Sequence, residues 1–144
     1  ALKIFKEIGY LQGEANTLTN IGIIYKDLGD PQEALKYQKE ALKIFKEIGY
    51  LQGEANTLGN IGAIYKYLGD LQEALKYQKD ALKIDKEIGY LQGEANALMN
   101  IGAIYKDLGD LQEALKYQKE ALKIAEMLDI KDIIQQIEKN IGHL

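Results

Sequence analysis

The block ALKIFKEIGYLQGEANTLTNIGIIYKDLGDPQEALKYQKE fills residues 1–40 and returns almost unchanged at 41–80 and 81–120. The last 24 residues open the same way (ALKIAEML) and then diverge. Self-similarity at a period of 20–50 residues denotes a solenoid, in which each unit buries its apolar face only by stacking on its neighbours. No Pro/Gly/Ser-rich stretch divides the chain, so one continuous array is predicted.

Within a period the punctuation is regular. Gly29-Asp30-Pro31 and Gly49-Tyr50 interrupt two stretches of helical pattern. Asp30 is placed to cap the following helix, Pro31 suits its first turn, and Glu33 stands where a capping box wants an acid. Gly49 supplies the left-handed residue that ends that helix. Helix A is therefore expected over about 11–28 and helix B over about 31–48. On helix A, Leu18, Ile21, Tyr25 and Leu28 recur at helical spacing. Gly22 lies within this stripe, where a side chain would hold the two helices apart. Helix B offers Ala34, Leu35, Tyr37, Ala41, Leu42, Phe45 and Ile48 to its neighbours, and its mixed charges at i,i+3 and i,i+4 read as a solvated face.

Extended along the chain, this gives a partial helix B at 1–8, helix A/helix B units at 9–48, 49–88 and 89–128, and a capping helix at 129–144. The fold expected is all-α, about seven helices in a right-handed superhelical solenoid of antiparallel pairs. The tail keeps Asn140-Ile141-Gly142 in the register of Asn100-Ile101-Gly102 and is read as a worn helix A. Some of its Ile130, Ile133, Ile134, Ile137 and Ile141 are expected to face outward. At the other end, Leu2, Ile4, Phe5 and Ile8 lack their usual partner helix, so weak self-association through the chain ends is expected in competition with fraying.

Composition excludes several classes of function. There is no cysteine, serine or arginine, and all 18 basic residues are lysine. A net charge of −4 and a pI near 5.1 argue against nucleic acid, whose binding needs a basic footprint. No apolar run approaches a transmembrane span and no signal-peptide pattern opens the chain, so a cytoplasmic protein without membrane attachment is expected. The missing initiator Met implies processing or a fragment of something longer. With a single histidine, His143, no nucleophilic triad assembles. The carboxylates alternate with lysine, which gives no basis for a raised pKa in a dry cleft. The chain is read as a non-enzyme without metal or cofactor.

These residues resemble the tetratricopeptide repeat family. Leu18 takes its large first position, followed in register by Ile21-Gly22, Tyr25, Gly29, Ala34 and Ala41. The second set is Leu58, Ile61-Gly62, Tyr65, Gly69, Ala74 and Ala81, and the third is Leu98, Ile101-Gly102, Tyr105, Gly109, Ala114 and Ala121. Two departures stand out. Gln38, Gln78 and Gln118 replace the family's aromatic before the second Ala, and Lys46 or Lys86 replaces its closing Pro. The unit is thereby 40 residues long against the usual 34 or so. This long form is similar to the repeats of the Pins/LGN-type spindle-orientation scaffolds, and kinesin light chains and bacterial Rap-type peptide receptors also use long repeats. The resemblance implies a protein-binding array.

Differences among the units suggest where a partner would lie. Thr19, Gly59 and Met99 share one position, Ile23, Ala63 and Ala103 a second, and Asp27, Tyr67 and Asp107 a third. Spaced i, i+4, i+8, they form one stripe on helix A, which in tetratricopeptide arrays faces the concave groove. Beside it run Asn16 and Asn20, Asn56 and Asn60, Asn96 and Asn100. An amide carries donors and an acceptor, so a ladder of asparagines can hold a partner's backbone whatever its sequence. The leading expectation is thus a scaffold that binds a peptide or protein segment in this groove. The alternative is a structural, self-associating array, part of a longer or consensus-like repeat protein.

Overall fold

The computed structural model describes residues 2–144, with side chains from Lys3 onward. Among these residues there are seven α-helices and no strand: α1 (Leu2–Asp27), α2 (Pro31–Ile48), α3 (Leu51–Tyr67), α4 (Leu71–Ile88), α5 (Leu91–Asp107), α6 (Leu111–Leu128) and α7 (Lys131–Gly142). Each helix packs on the next, and the tightest pairs are α1 with α2, α3 with α4 and α5 with α6.

The punctuation acts as the sequence predicts. Asp30, Asp70 and Asp110 each accept a hydrogen bond at Oδ1 from the backbone N–H of Glu33, Glu73 and Glu113, at 3.2, 3.3 and 3.2 Å. This satisfies one of the orphan donors of each helix start. Gly49 and Gly89 end α2 and α4 at φ of 69°, a conformation in which an L side chain crowds the backbone. Asp129 takes the same role after α6 at φ 53°, as Asp occasionally does.

Each helix pair is closed by a glycine and a glutamine. A Cβ on Gly22, Gly62 or Gly102 would stand 2.8, 2.8 or 2.7 Å from the Nε2 of Gln38, Gln78 or Gln118. The bare glycine backbone leaves room for that amide to bury itself and donate to a helix A carbonyl: Thr19 O at 3.0 Å, Gly59 O at 2.9 Å and Met99 O at 3.1 Å. Gln is therefore a between-helix clamp where the sequence comparison showed only a lost aromatic. Successive units are joined on another face, where Lys39 and Lys79 donate to the hydroxyls of Tyr65 and Tyr105 at 2.8 and 2.9 Å. Those tyrosines in turn stack on Tyr77 and Tyr117.

The two ends differ from expectation. A break at Gly9-Tyr10, matching that at Gly49-Tyr50, is absent, and α1 runs through both residues. The cap α7 buries Ile137 and packs Ile133, Ile134 and Ile141 against Leu98, Ala121 and Ala125. None of the five tail isoleucines is fully exposed. At the start of the chain, Ile4, Phe5, Ile8 and Tyr10 are exposed.

Candidate functional site

Odd-numbered helices touch one another from unit to unit, α1 with α3 and α3 with α5, and among the described residues the even-numbered helices make no comparable contact. Helices A thus form the tighter, inner layer of the curve. The face predicted for ligands lies on this layer.

The predicted residues meet different fates there. Asn56, Gly59, Asn96 and Asn100 are brought together around a cavity of about 150 Å³ between α3, α4 and α5, with Gln78, Asp85, Tyr90, Gly93 and Ala97 in its walls. Ala103 and Asp107 line a second cavity of about 150 Å³, with Lys66, Asn140 and His143. Asp107 also pairs with Lys66 at 3.7 Å across two exposed side chains, a contact worth little in solvent. Asn16, Asn20, Ile23, Asp27 and Tyr67 are exposed without a shared enclosure. Thr19 turns its hydroxyl back to Ala15 O at 3.0 Å. Ala63 is half-buried, and Met99 packs against the core beneath α7.

The asparagine ladder divides in the same way. Asn60 Nδ2 donates to Gln38 Oε1 at 3.4 Å, so this side chain ties two units together. Asn140 does the same to Gln118 Oε1 at 3.5 Å. The corresponding rung between them is open: Asn100 is exposed, and Gln78 Oε1 is buried with no partner. Asn16, Asn20, Asn56, Asn96 and Asn100 are exposed.

Asp85 overturns the expectation of uniformly solvated carboxylates. It is 4% exposed, and its Oδ1 has no hydrogen-bond partner. Burial first, and the Glu94 carboxylate second, push its carboxyl from 3.8 up to about 6. The charge alternation on helix B conceals this, because Asp85 lies on the inward stripe with Ala74, Gln78 and Ala81. A signal was nonetheless present in the units. Phe5 and Phe45 become Asp85 and then Ala125, and Thr17 and Thr57 become Ala97. The second of these positions lines the same cavity as the first.

A family model described as tetratricopeptide repeat matches residues 1–47 and 53–127. No curated protein sequence matches the chain. Among solved structures, the apo form of RapI superposes with a TM-score of 0.86 at 21% identity, covering 91% of this chain and 48% of that one. The chain thus spans about half the length of that protein. The tetratricopeptide domain of Arabidopsis FLU gives 0.77 at 24% identity, over 81% of this chain and 98% of the other. BtubC (BKLC) from P. vanneervenii gives 0.76 at 27% identity, over 90% and 54%.

Proposed function

The chain belongs to the tetratricopeptide repeat family, and from that premise we propose that it is a non-catalytic scaffold which holds a peptide segment along the inner face of its A helices. Repeats of this family generally mediate protein–protein interaction. One observation carries the reading here. Asn56, Asn96 and Asn100 converge on one enclosure of the inner layer, and all three are exposed there. Free amides in a row suit a backbone of any sequence, since each can donate and accept. Asn60 holds the array together and is not counted among the binding residues. Met99 and Gly59 set the depth of the surface, and Asn16, Asn20, Ile23 and Asp27 extend it toward α1.

Panning a displayed library of random segments against the whole chain tests this. Selected segments should bind the wild type and lose about a hundredfold in affinity to the Asn56→Ala/Asn96→Ala/Asn100→Ala variant, each of the three amides contributing about 1 kcal/mol. Retained helical circular dichroism would show that the variant is folded. Unaltered affinity would refute the groove.

A second reading, self-association, rests on α1. Phe5 is 71% exposed, and Ile4 and Tyr10 are exposed near it. A second copy of this face is the occupant with matching chemistry. Mass measured against concentration tests it, and Phe5→Glu should abolish any rise.

A further inference from the structure

Two buried oxygens at the joint of α3, α4 and α5 have no donor in the chain: Gln78 Oε1 and Asp85 Oδ1. Their side chains are 1% and 4% exposed. Leaving such acceptors unpaired is unfavourable, more so for a charged one. Neither arises at the other joints. Gln38 and Gln118 accept from Asn60 and Asn140, while Phe45 and Ala125 occupy the position of Asp85. The divergence is local, and three substitutions converge on it. Asp replaces Phe45, Ala97 replaces Thr57, and Gly59 stands where the neighbouring units carry Thr19 and Met99. Each puts a smaller side chain into the wall of the same cavity of about 150 Å³.

The wall is rich in acceptors and has no cation. It offers the Asp85 carboxylate, the Gln78 carbonyl and the amides of Asn56, Asn96 and Asn100, and none of its residues is a lysine. Glu94, half-buried on α5, adds negative potential. One carboxylate is too few for a divalent cation, which gathers several anionic or carbonyl oxygens at once. The volume equals about five waters at roughly 30 Å³ each, enough for the head and upper stem of one long side chain.

We propose that this cavity is a subsite for the cationic head of one lysine or arginine side chain, with the Asp85 carboxylate and the Gln78 carbonyl as its acceptors. It rests on the groove reading for the segment that delivers the side chain. Ammonium and guanidinium groups carry several N–H donors and no acceptor, which complements a wall of acceptors. Hydrogen bonds between ionised groups are the strong ones. The same protein would hold a segment's backbone by its asparagines and select one residue by charge.

A small probe separates the subsite from the groove. N-propylguanidinium is titrated into the whole chain and followed by NMR, with neutral N-propylurea as its twin. The cation should shift the amides of Gly59, Asp85 and Gly93 saturably, and the urea should not. Asp85→Phe, which copies Phe45, should abolish the shifts while the protein stays helical and melts higher. Asp85→Asn should remove the preference for the cation over the urea. Selected segments should be enriched in lysine or arginine at one position and lose about tenfold or more in affinity to Asp85→Phe. Equal response to both probes, no saturable shift below the onset of unfolding, or shifts surviving in Asp85→Phe would each overturn the subsite. Cation binding with no selected segment would overturn the groove reading alone. Segments without a basic preference would leave the groove and remove the subsite.

Discussion

Residues 1–18 and 41–58 are identical, ALKIFKEIGYLQGEANTL, yet they fold differently. The second copy ends a helix at Gly49, reverses, and starts another at Leu51. From Leu2 onward the first copy is uninterrupted helix within α1. In the second copy, residues 41–48 are held against helix A of their own unit, and the reversal lets α3 pack on α2. Residues 3–8 are exposed throughout, so no packing repays a reversal at Gly9. Continuing the helix keeps the backbone hydrogen bonds that a turn would break. The third copy, residues 81–98, keeps the reversal and changes only Asp85 and Ala97. Tertiary partners, not local propensity, thus decide whether Gly-Tyr is a turn.

Making the third copy like the second should have the largest effect. Asp85→Phe removes a buried, unpaired carboxylate and refills the cavity. The carboxyl of Asp85 is raised from 3.8 to about 6, so the native state binds its proton more tightly than the unfolded chain. Its contribution is then most favourable below pH 3.8 and is lost as the pH rises through about 6. Asp85→Phe should therefore stabilise by on the order of 2–3 kcal/mol above that range. The gain should shrink toward acid, as urea unfolding at several pH values will show. A constant gain at all pH values would mean that Asp85 is not the buried acid described.

Next comes a pair of substitutions at one residue of the shared segment. A Cβ on Gly53 would stand 2.6 Å from the Phe45 ring and 2.7 Å from Tyr50, whereas on Gly13 it meets nothing within 4 Å. Gly53→Ala should destabilise by about 2 kcal/mol through overpacking. Gly13→Ala, in an open helix interior, should stabilise by about 0.5–1 kcal/mol. Opposite signs in thermal unfolding are the expected outcome, and equal signs would contradict the difference between the copies.

The smallest effect concerns the turn itself. Gly49→Ala places a side chain at φ 69° and should cost about 1 kcal/mol. Gly9→Ala, inside α1, should gain about 0.5–1 kcal/mol. Joining a copy of residues 9–40, a helix A with the first half of helix B, ahead of residue 1 should reverse the sign at Gly9, because residues 1–8 would then complete a helix B packed on that helix A.

The repeat period, the caps at Asp30, Asp70 and Asp110, and the close approach at Gly22, Gly62 and Gly102 were legible in the chain, because each depends on local geometry or on spacing along one helix. The inward stripe of α2 was legible for the same reason. Which asparagines are free was not, since Asn60 and Asn100 hold the same register position in their units, and only the structure shows that Asn60 reaches the preceding unit's Gln38 while Gln78 is left without a partner. The unpaired Asp85 was hidden too: its charge reads as surface until α3 and α5 are seen to close over it. Period and punctuation determined what the units are. Only stacking decided which polar groups are spent on the array, because burial and hydrogen-bond partnership belong to pairs of helices and not to any one of them.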